Sequence, residues 1–179
     1  GLKVYINYFD DLLIKKLTKS HPKFDLIFSA NTITHISKYN SVFSNISKIL
    51  DDKGTVIIEE PSLLETMRKN SYDQFYNEHI YVFSAIALQN ILKKNNLEIY
   101  DIENIKVHGG SNRYYIKKKK NNKIKLTNRF KRNMILERKN GLHKFSSYKK
   151  FSKKVKESKI NLIRLIKNLK KNNNLLFFF

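Results

Sequence analysis

Two short apolar runs do most to fix the class of fold that this chain can adopt. They are FDLIF, residues 24–28, and TVII, residues 55–58, and each is followed by small or polar residues. Runs of this kind are typical of buried strands in a parallel sheet. Between them, residues 41–50 carry apolar side chains at helical spacing, and DDKG follows with its glycine where a helix would stop. This order predicts an α/β layer with a mainly parallel sheet.

The flanking segments extend the same pattern. Further predicted elements are a short strand at KVYI (3–6), a helix from Tyr8 to Ser20, a helix from Ala85 to Asn95, and strands at LEIYDIENI (97–105) and NRYYIKKK (112–119) joined by a glycine turn across VHGGS. In a parallel α/β sheet, ligands bind beyond the carboxyl ends of the strands. The segments that follow the two buried strands, SANTITHI and EEPSLLE, therefore mark the side where a site is expected.

The positive charge is concentrated in the last third of the chain. The net charge is +21, yet residues 1–112 carry 13 Lys+Arg and 13 Asp+Glu, whereas residues 113–179 carry 23 and 2. A charge run needs no partner and mainly predicts a solvated surface. Nucleic-acid binding is the alternative, because phosphate contacts dominate such binding. That alternative leaves the motifs at 75–84 and 108–113 unexplained, so we do not expect a nucleic-acid partner.

Composition excludes several classes of site and location. The chain has no cysteine, so it holds no disulfide framework and no thiolate metal site, and its five histidines lack close metal-ligand spacing. No apolar run reaches the roughly 18–20 residues that span a bilayer. Residues 1–20 lack the basic start and apolar block of a signal peptide. We therefore expect a cytoplasmic protein with no membrane partner and no metal site in this chain.

The chain changes character after Arg113. Residues 117–145 read as a basic connector, and one face of a long amphipathic helix then follows, marked by Tyr148, Phe151, Val155, Leu162, Leu165 and Leu169. We expect this helix to pack on the domain or on a neighbour, and a helix at a membrane surface is the alternative. The terminal LLFFF predicts the start of a buried strand, because a free apolar end would face water.

The strongest polar cluster is Tyr76, Glu78 and His79, inside the apolar segment FYNEHIYVFS. A histidine exchanges a proton near neutral pH, and a nearby carboxylate can orient its ring. A tyrosine hydroxyl can donate a hydrogen bond to developing negative charge. These properties predict an acid-base cluster in a dry pocket. The alternative is a helix start with a satisfied histidine, since perturbed polar clusters are often structural.

Two further positions could face a ligand. His35 follows the end of the first buried strand, where a ligand-facing side chain is expected, although a capping or core histidine would occupy the same place. The glycines of HGGS, residues 108–111, allow the backbone to approach a ligand closely. They fit a tight turn equally well.

Four segments occur together in a specific order: FDLIFSANTITHI, ILDDKGTVIIEEP, YDQFYNEHIYVFS and VHGGSNRYYI. In order and spacing they resemble the S-adenosylmethionine (SAM)-dependent sugar C-methyltransferases, which methylate C3 of nucleotide-linked 4-keto-deoxysugars. The first two segments would fit any Rossmann-like methyltransferase. The Tyr-x-Glu-His-x-x-x-Phe-Ser and His-Gly-Gly-Ser-x-Arg patterns are more specific. The resemblance covers residues 1–116 and continues more weakly along the helix that follows.

The resemblance implies a mechanism and a role for each residue. A base removes the C3 proton beside the C4 ketone, and the enolate accepts the methyl group of SAM. His79 would be the base, Glu78 would orient it, and Tyr76 and His35 would act on the oxygen. The SAM pocket would be lined by Ser29, Ala30 and Asn31. The nucleotide-sugar would contact His108, Gly109, Gly110, Ser111 and Arg113.

The resemblance also implies parts that this sequence lacks. The family has a cysteine-rich zinc domain, a glycine-rich cofactor loop, an acidic residue after its second core strand, and a further Rossmann-like domain after the long helix. We therefore expect an incomplete Rossmann-like class I methyltransferase sheet without its first two strands. Zinc would belong only to the missing domain. The expected parts are residues 1–116 as core, 117–145 as connector, and 146–179 as the helix and truncated start of a C-terminal domain.

An incomplete core has a physical consequence. The FDLIF strand would be an open apolar edge, which invites association, and this polypeptide alone would have little methyltransferase activity. A fragment of an enzyme is thus the first interpretation. The alternatives are a basic nucleic-acid-binding module and a decayed, inactive remnant. The oligomeric state stays open.

Overall fold

A computed structural model of the protein describes residue 1 and residues 3–171. Its strands are β1 (Phe24–Ala30), β2 (Leu50–Pro61), β3 (Leu97–Ile105) and β4 (Ser111–Lys118). Its α-helices are α1 (Asp11–Ser20), α2 (Tyr39–Ile49), α3 (Leu63–Lys69), α4 (Ala85–Lys94), α5 (Asn128–Lys139) and α6 (Phe145–Lys171). Short 3-10 turns lie at Ile33–His35, Tyr72–Gln74 and Val107–Gly109. The predicted α/β architecture is confirmed.

The four described strands form one mixed sheet in the order β1-β2-β4-β3. Strand β1 pairs with β2 in parallel, whereas β4 pairs antiparallel with both β2 and β3. The prediction of a mainly parallel sheet is therefore wrong for the described strands. The physical reason is the short turn between β3 and β4, because parallel neighbours need a long crossover connection.

The start of the chain differs from the prediction. KVYI, residues 3–6, forms no strand. The first helix begins at Asp11, later than expected, because the Asp10 carboxylate accepts a hydrogen bond from the Leu13 amide at 3.0 Å and caps the helix there. DDKG lies inside β2 and does not end α2. A side-chain carbon at Gly54 would sit 2.8 Å from the Phe24 carbonyl, so glycine permits the close pairing of β1 and β2.

The predicted basic connector is partly helical. Helix α5 begins within it at Asn128, where the Thr127 hydroxyl accepts a hydrogen bond from the Phe130 amide at 3.1 Å. The long helix is confirmed as α6, a separate element after α5. Among the described residues no helix is both long and apolar enough to cross a bilayer. The LLFFF segment, residues 175–179, lies outside the described residues.

The main apolar core lies between the sheet and helices α2, α4 and α5. Its fully buried side chains include Phe43, Leu50, Ile58, Leu88, Leu92, Leu97, Ile99, Ile102, Tyr114 and Ile116. Phe130 of α5 belongs to the same cluster, so residues after the sheet help to close the core. Burial of this apolar surface supplies the main driving force for the fold.

Strand β1 lies at one edge of the described sheet. The sequence predicts a fully buried strand, but Leu26 is 58% exposed and Phe28 is 61% exposed. That part of the prediction is wrong, because Leu26 and Phe28 share a face of β1 that stays largely uncovered, whereas Ile27 on the opposite face packs against the core. The expected open apolar edge is confirmed.

Candidate active site

The parallel strands β1 and β2 end side by side and carry the turns of the candidate site. The amide of Asn31 donates to the carbonyl of Glu59 at 2.8 Å, which extends the strand pairing by one residue. Asn31 then adopts a left-handed conformation with φ of 48°. This bend directs the chain into the 3-10 turn Ile33–His35. The site predicted at the strand ends therefore starts at Asn31, where β1 and β2 stop pairing.

The structure brings His35 and His79 together although they are far apart in the sequence. Their ring centroids lie 4.9 Å apart, and the rings meet at 63°. The carbonyl of Thr34 accepts hydrogen bonds from the amides of Ile80 at 3.0 Å and Tyr81 at 3.3 Å. The residues beside each histidine are therefore tied together by the backbone. We call His35 and His79 the histidine pair.

Tyr76 contacts the histidine pair directly. Its hydroxyl lies 2.8 Å from Nε2 of His79, and the two ring centroids are 4.1 Å apart. The other ring nitrogen, Nδ1, lies 2.9 Å from the carbonyl of Gln74. Because a carbonyl only accepts, these contacts assign the proton of neutral His79 to Nδ1 and leave Nε2 as the acceptor. Nε2 is the nitrogen that could take a proton from a ligand.

Glu78 does not make the contact that the sequence predicts. It is exposed, and in the described part of the chain it forms no hydrogen bond or ion pair with His79. The backbone carbonyl of Gln74 orients the ring instead. Sequence reasoning missed this partner because no side-chain pattern marks a backbone acceptor. The orienting role predicted for Glu78 therefore has no contact behind it among the described residues.

The HGGS segment packs against α3 and reaches the strand ends. His108 and Gly109 have φ of 50° and 77°, and the Gly110 carbonyl accepts from the Ser62 amide at 3.0 Å. Nε2 of His108 lies 3.4 Å from the side-chain nitrogen of Asn31. The predicted cofactor and substrate segments therefore meet at this point. Ser111 is buried, and its hydroxyl donates to the Val107 carbonyl at 3.2 Å within the turn.

Arg113 is held by two carboxylates from neighbouring strands. Its guanidinium lies 2.9 Å from Glu59 and 3.4 Å from Glu103, its register partners on β2 and β3. The hydrogen bond to Glu59 raises the pKa of Arg113. An anionic ligand would have to compete with both carboxylates for this cation. Substrate binding by Arg113 stays a prediction, and another source of positive charge is needed.

Glu60 is a buried carboxylate that sequence reasoning did not single out. Its side chain points to the face opposite that of Glu59, as alternation along a strand requires. Oε1 accepts from the amides of Thr32 at 3.1 Å and Ile33 at 2.7 Å. Burial raises the pKa of Glu60, and the two amides oppose that shift. The available signal was the Glu-Glu pair at a strand end, of which one member must face inward.

An apolar groove of about 400 Å³ runs along the edge strand toward the site. It is lined by Phe9, Ile27, Phe28, Ser29, Ala30, Thr32, Ile33, Ile36, Val42 and Ile46. Ser29 and Ala30 are two of the predicted cofactor-pocket residues. The third, Asn31, is not in the lining and bonds to His108. Small-molecule sites are usually apolar clefts of this size with a few polar groups.

A second cavity, of about 460 Å³, lies between α3 and the junction of α5 and α6. Its basic lining residues are Arg68, Lys139, Lys144, Lys150 and Lys154. We call it the basic cavity. Phe151, which also lines it, contacts Phe75, the residue before Tyr76, with ring centroids 6.0 Å apart and the rings tilted by 51°. The basic cavity therefore adjoins the segment that carries His79.

The described part of the chain contains no group of side chains arranged to bind a metal ion. No three His, Asp or Glu side chains there lie close enough to hold an ion.

Two family models match the chain, one after the other. A model described as methyltransferase domain matches residues 5–102, which is more than half of the chain. A model described as C-methyltransferase C-terminal domain matches residues 106–179. The Rossmann-like methyltransferase class expected from the sequence is confirmed by the first match.

A curated relative is the C-methyltransferase NovU of Streptomyces niveus. It is 27% identical over 97 residues, which are 54% of this chain and 23% of that protein. The match thus spans less than a quarter of the relative's length.

Two solved methyltransferase structures each overlap with just over half of this chain. The magnesium protoporphyrin IX methyltransferase of Synechocystis, determined with bound SAH, is 16% identical, with a TM-score of 0.41 over 56% of this chain and 47% of that chain. An S-adenosylmethionine-dependent methyltransferase of Clostridium acetobutylicum is also 16% identical, with a TM-score of 0.43 over 54% and 58%.

Proposed function

The chain belongs to the family of proteins built on this methyltransferase domain, and on that premise we propose that it serves SAM-dependent C-methylation of a ketone-bearing substrate. The observation that carries the proposal is the histidine pair, held at the ends of β1 and β2 with the Tyr76 hydroxyl on Nε2 of His79. An acid-base pair is what removal of a proton from carbon requires. Its position at the strand ends is where ligands of α/β sheets bind.

The apolar groove along β1 suits the methyl donor. Its apolar wall fits an adenine ring, and Ser29 and Thr32 provide polar groups at its end. SAM supplies an electrophilic methyl group when bound. The chain's own residues would hold it beside the histidine pair. The dry pocket expected from the sequence is not formed by the described residues, because Tyr76 is 49% exposed and Ile80 is 47% exposed.

The chemistry assigned to the histidine pair is proton removal and charge stabilisation. The bond between hydrogen and the carbon next to the ketone breaks, the proton goes to Nε2 of His79, and the electron pair moves into an enolate. For this transfer the Tyr76 hydroxyl would turn from Nε2 of His79 to the enolate oxygen, which frees Nε2 to take the proton. His35 lies close enough to His79 to hydrogen-bond the same oxygen. The Gln74 carbonyl stabilises the imidazolium through Nδ1–H.

The substrate class proposed is a nucleotide-linked 4-keto-deoxysugar. The sequence resemblance supports this class, and the C-methyltransferase C-terminal domain match and the relative NovU agree with a carbon acceptor. The basic cavity adds a physical reason, because a diphosphate needs cations that are not already paired. Within the described residues, Lys139, Lys144, Lys150 and Lys154 form no ion pair. His108, Gly109 and Gly110 would contact the sugar.

The proposed division of the chain follows the same reasoning. Residues 1–116 would belong to the methyltransferase core, residues 117–145 would connect, and residues 146–179 would begin a C-terminal unit.

Calorimetric titration with SAM tests the cofactor assignment. A form of the protein extended upstream to include the glycine-rich cofactor loop that the resemblance implies is expected to bind SAM with a dissociation constant on the order of micromolar, equivalent to about 8 kcal/mol. The present chain alone is expected to bind SAM more weakly, because the resemblance places part of the cofactor pocket in that loop. Replacing Ala30 with tryptophan would fill the groove and is expected to weaken binding by about tenfold or more, since overpacking costs about 1–3 kcal/mol. Lys94→Trp adds the same side chain at an exposed position of α4 and serves as the control. Equal loss in both variants, or no binding at all, would contradict the assignment.

Charge reversal in the basic cavity tests the substrate assignment. The double variant Lys150→Glu and Lys154→Glu is expected to weaken the binding of uridine and thymidine diphosphate by about tenfold or more, because charge-assisted hydrogen bonds contribute about 1.5–3 kcal/mol each. The matched control is Lys149→Glu with Lys153→Glu, on the same helix but outside the cavity lining. If the control weakens binding equally, the attraction is only the net charge of α6.

A further inference from the structure

The turn that carries His35 is capped from another strand. The Thr32 hydroxyl, which begins the turn and could cap it locally, donates instead to the carbonyl of Ala30 at 2.8 Å. The acceptor for the free amides of Thr32 and Ile33 is Oε1 of Glu60, on β2. The position of the turn is therefore fixed relative to the end of β2.

The same turn also fixes the segment that carries His79. Thr34 follows the two amides that Glu60 accepts, and its carbonyl accepts from Ile80 and Tyr81. A continuous set of hydrogen bonds thus runs from Glu60 through Thr32–Thr34 to the residues just after His79. The histidine pair lies on this set, with one histidine at each of its two tied segments.

Burying the carboxylate of Glu60 at this position costs free energy. Its side chain has no exposure to solvent, and its Oε2 makes no well-formed hydrogen bond among the described residues. The buried hydroxyl of Thr34 interacts only weakly with the carboxylate and slightly opposes the rise in its pKa. A buried carboxylate with one unpaired oxygen destabilises a fold, so a reason for it should be sought in the site that it supports.

We propose that Glu60 is a positioning residue, which sets the separation of His35 and His79 through the turn at residues 32–34. It does not touch the proposed substrate and acts only through the backbone. The proposal rests on the proposed function only in calling the histidines an acid-base pair. The geometry that it describes is measurable in the free protein.

The test is a nuclear Overhauser effect (NOE) between ring protons of His35 and His79 in the isotopically labelled chain without ligand. The wild type is expected to show this NOE. Glu60→Ala leaves two backbone amides without an acceptor, so it is expected to lose most of the NOE intensity and to accelerate hydrogen exchange at Ile33 and Ile80. Glu60→Gln retains an acceptor oxygen and is expected to restore both signals.

The matched control is Glu137→Ala. Glu137 is also a buried carboxylate that accepts from two backbone amides, but those belong to Ala85 and Ile86 at the start of α4. This variant is expected to keep the NOE between the histidines. If Glu60→Ala does not fold, Glu60→Asp, which withdraws the carboxylate by one methylene, decides the matter by the same signal.

The outcomes distinguish failure of the positioning role from failure of the proposed function. A full NOE in the Glu60→Ala or Glu60→Asp variant overturns the proposal, as does an absent NOE in the wild type. Equal loss in Glu137→Ala also overturns it, because general loosening would then be the cause. Failure of SAM to bind, with the expected NOE pattern intact, would contradict the proposed function and leave the positioning role standing.

Discussion

Replacing His79 with glutamine is expected to lower kcat for methyl transfer by about 10²–10⁴-fold, the usual contribution of a positioned general base. The physical reason is that the Gln74 carbonyl holds the proton of neutral His79 on Nδ1. Nε2 therefore carries no proton and can accept one. Glutamine keeps a polar side chain of similar size but takes no proton near neutral pH. Initial rates with SAM and a nucleotide-linked 4-ketosugar, in the full-length protein, provide the measurement.

Two further measurements show whether the lost activity comes from the loss of the base itself. Exchange of the substrate's C3 hydrogen with deuterated solvent should fall with kcat, while the dissociation constant for SAM stays within about twofold, since a variant outside the groove removes no cofactor contact. His143→Gln, an exposed histidine of the same chain, is the control and should leave both rates unchanged. A His79→Gln protein that exchanges the C3 hydrogen at the wild-type rate would exclude His79 as the base.

Replacing Glu137 with alanine is expected to lower the free energy of unfolding by about 2–4 kcal/mol, because it leaves two buried donors unsatisfied and opens a cavity. Glu137 on α5 is 1% exposed, and its oxygens accept from the amides of Ala85 at 2.7 Å and Ile86 at 2.9 Å. Those amides are the free donors at the start of α4. Urea denaturation measures the change. Glu157→Ala, an exposed carboxylate on α6, should stay within about 0.5 kcal/mol.

The pH dependence of stability gives an independent check on Glu137. Burial raises its pKa in the folded state, so the native protein holds this proton more tightly than the unfolded chain. The free energy of unfolding should therefore fall as pH rises from the ordinary pKa of glutamate through the raised value. Glu137→Gln does not titrate and should show a shallower decline over that interval. An unchanged slope would mean that Glu137 does not contribute to the titration.

Periodicity in the sequence predicts most of the elements but not their neighbours. The spacing of apolar residues marks α2, α4 and β3 almost to their ends, because each buries one face in the core. It marks only the second half of β2, whose first five residues are predicted as a helix end. It cannot show that β1 is exposed on one side, since an apolar run looks the same at an edge and in the centre of a sheet. Helix α5 was missed because its lysines and arginines mask the few buried positions, Phe130, Asn133 and Glu137.

For the candidate site, the sequence identifies the residues more reliably than it identifies their contacts. Tyr76 and His79 are adjacent on the chain, so their contact follows from local spacing. The approach of His35 to His79 depends on hydrogen bonds that the Thr34 carbonyl accepts from the amides of Ile80 and Tyr81, and side-chain patterns do not encode them. Arg113 reads as a free cation in the sequence, whereas strand register places it between two carboxylates.

The position of β4 has a consequence for how the chain acquires its structure during synthesis. β4 lies between β2 and β3, although it follows both in the sequence and belongs to the second matched region. The nascent chain therefore leaves the ribosome with β2 and β3 unable to form their native pairing until Lys118 has emerged. Until then their apolar residues rely on local helices or chaperones for cover. The two matched regions thus share one sheet, and a break at residues 103–105 would separate β4 from the strand β2 that it pairs with.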